Sequence, residues 1–502
     1  MNYSQSLIKA RKYEEENGER VDPILRPLYH LTPYIGWMND PNGFSWYNGY
    51  YHLFYQYYPF AKKWGPMHWG HAVSKDLLHW EFKPAALAPD TVPDEDGCFS
   101  GSAIELNDGR HLLLYTGVTE VSTDEYQRTL YSQIQCVAVG DGENYEKYDG
   151  TPVIDQTMIP SDTNSYDFRD PKIWKEADGT YRCVVANGVD KDFTHGRVLY
   201  FSSEDGFHWK YVSTLLENDG SMGKMWECPD FFELDGTYVM LMSPQDVLQT
   251  PRFNCGNQTI CILGDFDEEA GKMIPKADMT VDYGIDFYAT QTMLTPDGRR
   301  VMIAWMQNWD TIKYTEQSIP WLGMMTLPRE LSIVNERLIQ KPIREIEELR
   351  THEVVYKHVV VGETLVLDAI RGRSLDLTIE LYPESFGSYT KFEMRFAVDE
   401  HHYTSIVYRP RENRLEFDRS NSGTRVAVMH DRHFFVRNRN GQLKLRLLLD
   451  RYSSEVFIND GEQVMTNVLY TPLSADNIWF YCDGKVLMDV EKYELMDPAQ
   501  KR

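Results

Sequence analysis

The chain has 502 residues, a formal net charge of −25 at neutral pH, and 42% hydrophobic and 13% aromatic residues. That length exceeds one typical core and implies two domains. The acidic balance excludes nucleic acid or an anionic membrane as partner, because phosphate-rich surfaces need basic patches. No apolar run reaches the roughly 20 residues of a membrane helix.

Residues 1–25 read as a charged helical lead-in, to which no chemistry is assigned. MNYSQSLIKARKYEEENGER lacks the apolar centre of a secretory signal. The seven cysteines (98, 136, 183, 228, 255, 261 and 482) are scattered, odd in number and free of CxxC pairs. Neither a disulfide framework nor a zinc knuckle is expected, and reduced thiols in a cytoplasmic protein are the simplest reading.

From residue 26 to 338 short apolar and aromatic runs alternate with Gly, Asp and Asn, and helical periodicity is rare. The pattern is all-β. Five hairpins stand out, closed by Asn48-Gly49, Asp108-Gly109, Asp178-Gly179, Asp235-Gly236 and Asp297-Gly298. Both central residues of such a turn are expected at positive φ. The turns are 57 to 70 residues apart, which is a repeat size that suits the blades of a β-propeller. SKDLLHW (74–80) and SEDGFHW (203–209) share the pattern S-x-D-x-x-H-W, a smaller echo of the repeat.

Counting back eight residues from each turn gives Asp40, Ser100, Asp170, Glu227 and Ala289. Three of the five are acidic. If the first strand of each blade lines a central channel, these residues ring one mouth of it. The returning strands bring Gln56 and Trp305 to the same end.

KPIREIEELRTHE (341–353) mixes charged and apolar residues at helical spacing and reads as a short linker, over 339–354. Alternating strands follow, among them SLDLTIELY, KFEMRFAV, TSIVYRP, LKLRLLLD, SSEVFIND and NIWFYC. They predict an antiparallel β-sandwich over 355–502. Its expected role is to bury surface of the first domain, in a monomer or a homodimer.

Three carboxyl groups packed together repel, and burial raises the pKa of at least one. A raised acid donates a proton near neutral pH while a better-solvated neighbour stays ionised. Glycoside hydrolysis needs that division: one carboxyl protonates the leaving oxygen, and the other attacks or activates water. A Ca²⁺ site is the rival, since carboxylates are hard oxygen ligands. There is no compact D-x-D-x-D ladder, and the aromatic residues nearby (Trp37, Phe44, Trp64, Phe99, Trp226, Tyr288, Trp309) suit sugar rings better than a bare ion. No metal and no cofactor are expected.

WMNDPNG (37–43), FRDP (168–171) and WECPD (226–230) resemble the three signature blocks of glycoside hydrolase family 32, the β-fructofuranosidases. FYQYYP (54–59), KWGPMHWGHAVSKDLLHW (63–80), FSGSA (99–103), DFYATQTM (286–293), LPRELSI (327–333) and DRYSSEVFINDG (450–461) are similar to that family as well. The resemblance implies a five-bladed β-propeller followed by a β-sandwich, and retaining chemistry on β-fructosides. It implies Asp40 as nucleophile on fructose C2, Glu227 as acid/base and Asp170 as stabiliser of the transition state. Asn39, Gln56, Trp64, Phe99, Ser100, Arg169, Tyr288 and Trp309 would shape the fructose pocket, with Trp305 the rival of Trp309.

Arg169 is expected to keep its neighbour Asp170 ionised. Cys228 is expected to tune Glu227, or else to be a small buried residue. His68 and His71 stand three apart on a strand and face opposite sides, which argues against a shared metal. Lys62 and Lys63 are candidates for a phosphate on the glucose ring, or solvated surface.

The reading that follows is a hydrolase of sucrose or sucrose-6-phosphate acting through a fructosyl-enzyme. An exo-fructan hydrolase or a fructosyltransferase is the alternative. A propeller that binds sugar without turning it over is the alternative from another class.

Overall fold

The computed structural model describes residues 4–123, 127, 129–189, 195–250, 252–312, 319–423 and 429–497. All five Asn-Gly and Asp-Gly pairs close hairpins, by two different routes. Asn48-Gly49 (φ 48° and 80°) and Asp235-Gly236 (φ 51° and 77°) are two-residue loops with both residues left-handed. In the other three only the glycine is left-handed, at Gly109, Gly179 and Gly298. Their loops hold three residues. Gly109 N–H donates to Leu106 O (3.0 Å) while Leu106 N–H donates to Arg110 O (2.8 Å), and the same pair of bonds recurs at 176–180 and 295–299. The expectation of two positive φ angles per turn is thus corrected for three hairpins. A three-residue loop turns through one right-handed Asp and one left-handed Gly.

The hairpins build five sheets in chain order, each starting from a strand that leads into its turn. These inner strands are Gly36–Tyr47, Gly97–Glu105, Thr163–Lys175, Trp226–Leu234 and Tyr288–Leu294. Each inner strand packs against the next, and the fifth packs against the first. After the fifth sheet begins, Trp321–Leu322 returns to pair in parallel with Gly36 and Trp37, which ties the end of the series to its start.

Apolar residues fill the spaces between successive sheets. Leu112 and Leu114 of the second meet Cys183, Val185 and Leu199 of the third. Val184 and Val198 of the third meet Met240 and Ile262 of the fourth. Consecutive residues such as Val184 and Val185 serve different cores, because strand side chains alternate in direction. The S-x-D-x-x-H-W repeats are local braces. Asp76 Oδ1 accepts from the N–H groups of Leu78 (3.0 Å) and His79 (2.8 Å), and Asp205 Oδ1 does the same for Phe207 and His208.

The lead-in forms a helix, Gln5–Gly18, capped by Ser4. It is tied to the first sheet through Arg11 Nε to Ala85 O (2.9 Å) and Ala85 N to Glu14 Oε2 (3.0 Å). The stretch read as a helical linker is helical only over Arg344–Leu349, as one short 3₁₀ segment. Arg350–Val361 is already a strand of the C-terminal sheets. Its first residues, Arg350, Thr351, His352 and Glu353, are polar, which hid the start of the strand from a reading based on apolar runs.

The C-terminal residues form two six-stranded antiparallel sheets around one shared core. Their junction with the first five sheets combines apolar packing, such as Leu448 and Phe457 against Leu327, with buried ion pairs. His30 lies between Asp450 (2.8 Å) and Glu455 (2.9 Å), Arg329 reaches both Glu455 (2.6 Å) and Asp282 (2.9 Å), and Arg419 pairs with Asp286. Every one of these side chains is fully buried. Among the described residues no helix is long and apolar enough to cross a membrane. All seven cysteines are free.

Candidate active site

Each inner strand carries a β-bulge near its start, where two residues face one on the partner strand. Bulges re-aim side chains. In the third, fourth and fifth sheets the first bulged residue is left-handed: Asp170 (φ 64°), Cys228 (φ 51°) and Ala289 (φ 55°). Such a conformation costs a non-glycine residue roughly 1 kcal/mol or more. The residues just before the bulges, Arg169, Glu227 and Tyr288, are therefore equivalent to one another. The eight-residue count had grouped Glu227 with Asp170. The register moves Glu227 one place earlier, because its hairpin has the shorter loop.

That row is bonded side by side. Arg169 Nε and Nη2 donate to Glu227 Oε1 at 3.1 and 2.9 Å. Tyr288 Oη stands 2.7 Å from Glu227 Oε2 and 2.8 Å from the carbonyl oxygen of Ser243. One hydroxyl proton cannot serve two acceptors fully. Tyr288 therefore divides its proton between Glu227 and the Ser243 carbonyl.

The other two acids meet at Cys228. Its N–H donates to Asp170 Oδ2 (2.9 Å), and its Sγ lies 3.6 Å from Asp40 Oδ2 and 3.6 Å from Asp170 Oδ2. Ser100 Oγ donates to Asp40 Oδ2 (2.6 Å) and Asn39 Nδ2 to Asp40 Oδ1 (3.0 Å). Trp37 Nε1 fixes the Asn39 amide by donating to its oxygen (2.8 Å). Burial, followed by the charge of Glu227, pushes Asp40 up to about 6. Burial also pushes Asp170 up to about 7, against the opposing pull of Arg169. Arg169 pulls Asp170 down as expected, but its hydrogen bonds go to Glu227 and Asp167, and burial leaves Asp170 above the usual carboxylate range. Cys228 is buried, the second of its two readings, and its thiol contacts Asp40 and Asp170.

These groups open on a cavity of about 290 Å³. Asn39, Asp40, Gln56, Trp64, Phe99, Ser100, Arg169, Asp170, Glu227 and Trp309 line it. Tyr288 does not; it is 1% exposed and stands behind Glu227. Trp305 is fully buried beneath Trp309, their rings 5.1 Å apart, so of these two it is Trp309 that faces the cavity. Trp37 and Trp226 are buried outside the cavity, and Phe44 faces the other end of the inner strands. That far end holds a larger hollow, about 1250 Å³, where the carboxylate of Asp230 is already engaged by Lys172 (3.1 Å) and Thr292 N–H (2.6 Å).

Lys62 donates to the carbonyl oxygen of Ile319 (2.6 Å), and neither Lys62 nor Lys63 lines the cavity. His71 contacts His52 (3.0 Å) while His68 contacts the carbonyl of Pro66 (2.9 Å). Among the described residues no group of three His, Cys, Asp or Glu side chains is placed to hold a metal ion. Sequence reasoning missed Thr129, Leu130, Tyr131, Gln133, Tyr166 and Asp167, which also line the cavity. Asp167 was within reach, since it stands two residues before Arg169 and so on the same side of the strand. The others carry no signal of their own.

Comparison with known proteins matches these features to one lineage. The family model "Glycosyl hydrolases family 32 N-terminal domain" covers residues 30–342, and the family's C-terminal model covers 345–496. A sucrose-6-phosphate hydrolase of Zymomonas mobilis is 37% identical over 473 residues, 91% of this chain and 89% of that one. A levanase of Bacillus subtilis is 34% identical over 504 residues, 95% of this chain and 71% of that one. The solved structure of a GH32 β-fructofuranosidase of Bombyx mori superposes with a TM-score of 0.84 at 34% identity over 99% of both chains, and a variant of it has been solved in complex with sucrose. With both family models matched end to end and the three signature blocks meeting around one cavity, the chain belongs to glycoside hydrolase family 32.

Proposed function

We propose that this glycoside hydrolase is a retaining β-fructofuranosidase, removing the terminal β-D-fructofuranosyl residue of sucrose or sucrose-6-phosphate. The observation that carries this reading is the meeting of Asp40, Asp170 and Glu227, from three separate sheets, in one sugar-sized cavity. We read the five N-terminal sheets as blades of a five-bladed propeller over 26–338. Residues 339–354 are then the linker and 355–502 a β-sandwich, with the linker's last residues already paired in the sandwich. The substrate is a small sugar.

In the first step Glu227 gives its proton to the glycosidic oxygen as the C2–O bond breaks, and Asp40 forms an ester with fructose C2. The glucosyl portion leaves with its oxygen protonated. In the second step Glu227, now a carboxylate, takes a proton from water while the oxygen attacks C2, and Asp40 is released. Three donors on Asp40, from Ser100, Asn39 and Cys228, favour its ionised, nucleophilic form. Asp170 is placed to bind fructose hydroxyls, and such bonds help where they tighten as positive charge develops on the ring.

The levanase relative supports a second reading, an exo-acting fructan hydrolase. Comparing kcat/KM on sucrose, sucrose-6-phosphate, inulin and levan separates the two. Preference for either disaccharide supports the first reading, and preference for inulin or levan replaces it with the second.

A further inference from the structure

Among the described residues that line the cavity, Arg169 is the only cation, and it is divided between two acids. Its Nε and Nη2 serve Glu227 Oε1, while Nη1 reaches Asp167 Oδ1 and, at 3.3 Å, Gln133 Oε1. Asp167 is held from behind. Asn187 Nδ2 donates to its carbonyl oxygen (2.9 Å), and the strand opposite carries Gly188, where an added Cβ would lie 2.9 Å from the Asp167 Cβ. Its side chain is 16% exposed, so the Asp167–Arg169 contact is poorly screened.

A guanidinium that faced Glu227 alone would hold it as a carboxylate, the form that cannot protonate a leaving oxygen. A second carboxylate on the same guanidinium offsets that pull. We propose that Asp167 is a positioning residue that shares Arg169 with Glu227 and thereby lets Glu227 keep its proton for the leaving group. The inference rests on Glu227 being the acid/base. The other groups facing Glu227 are Tyr288, which contacts it directly, its chain neighbour Cys228, and the acids Asp40 and Asp170 across the cavity. Asp167 differs from them because its effect passes through the cation.

The test is the pH profile of Asp167→Asn, which keeps the size and removes the charge. Its alkaline limb of kcat/KM on sucrose is expected to move down by about one pH unit, the scale on which a nearby charge acts. At pH 7 kcat is expected to fall more on sucrose than on an aryl β-fructofuranoside, whose leaving group needs less protonation. Asp167→Glu restores the charge and should restore the limb. An unmoved limb with equal losses on both substrates overturns the proposal. Glu227→Gln is measured alongside: if it keeps the wild-type alkaline limb, the acid/base assignment falls, and the role of Asp167 with it. If Glu227→Gln loses the limb while Asp167→Asn keeps it, the Asp167 proposal falls alone.

Discussion

His30 offers a direct test of the junction between the two halves of the chain. Its side chain is fully buried, with Nδ1 2.8 Å from Asp450 and Nε2 2.9 Å from Glu455. Burial alone would lower its pKa, but hydrogen bonds and charge from the two carboxylates outweigh burial and lift it from 6.5 to about 9. One pH unit is worth 1.36 kcal/mol, so the gap between 6.5 and 9 corresponds to roughly 3 kcal/mol. The folded pKa is raised, so this stability is fully present below pH 6.5 and is lost as pH rises through 9. His30→Gln removes the charge and keeps a donor. The stability difference between wild type and variant, from urea unfolding followed by tryptophan fluorescence, should be largest near pH 6. It should shrink by about 3 kcal/mol by pH 10, and other titrating groups cancel in the difference to first order. A difference that stays level from pH 6 to pH 10 would mean that His30 is neutral in the native protein, and the reasoning would fail.

Arg329→Met strands Asp282 and Glu455 without their shared cation, both fully buried; the expected loss is about 3–5 kcal/mol in the same unfolding assay. With Asp40 pushed up to about 6, kcat/KM should fall below pH 6 as the nucleophile takes up a proton, and an acid limb near pH 4 would contradict the environment described for it. Cys228→Ala keeps the N–H bond to Asp170 but removes the thiol from Asp40. One donor fewer favours the protonated form of Asp40, so the acid limb should move to higher pH, and a move to lower pH would speak against the bridge.

Much of the site was legible because turn chemistry is local. Five Asn-Gly and Asp-Gly pairs between strand-like runs close hairpins, while Asn42-Gly43 and Asn187-Gly188 lie within strands, and counting back from the five led to Asp40, Asp170 and Glu227. The count was one residue off for Glu227 because it could not distinguish two-residue loops from three-residue ones. That choice depends on the register of the paired strand. The bulges that aim the three acids were illegible for the same reason, since a left-handed Cys228 or Ala289 has no local sequence signal. Trp309 and Trp305 were separable only by packing, one indole covering the other. Gln133 and Tyr131 arrive on the hairpin of the second sheet, and nothing near them in the chain announces a sugar pocket. In the C-terminal half, apolar alternation revealed the central strands. The start of Arg350–Val361 was lost to the linker because Arg350, Thr351, His352 and Glu353 are polar.

The central claim is that Asp40 attacks fructose while Glu227 moves the proton. Its most direct measurement is the mass of the protein after rapid acid quench during turnover of an activated β-fructofuranoside, using Glu227→Gln to slow release of the sugar. The account predicts one added fructosyl unit, located on the peptide that contains Asp40, and none when Asp40→Asn is introduced as well. An unmodified protein throughout turnover, or a fructosyl group found on another residue, would contradict it.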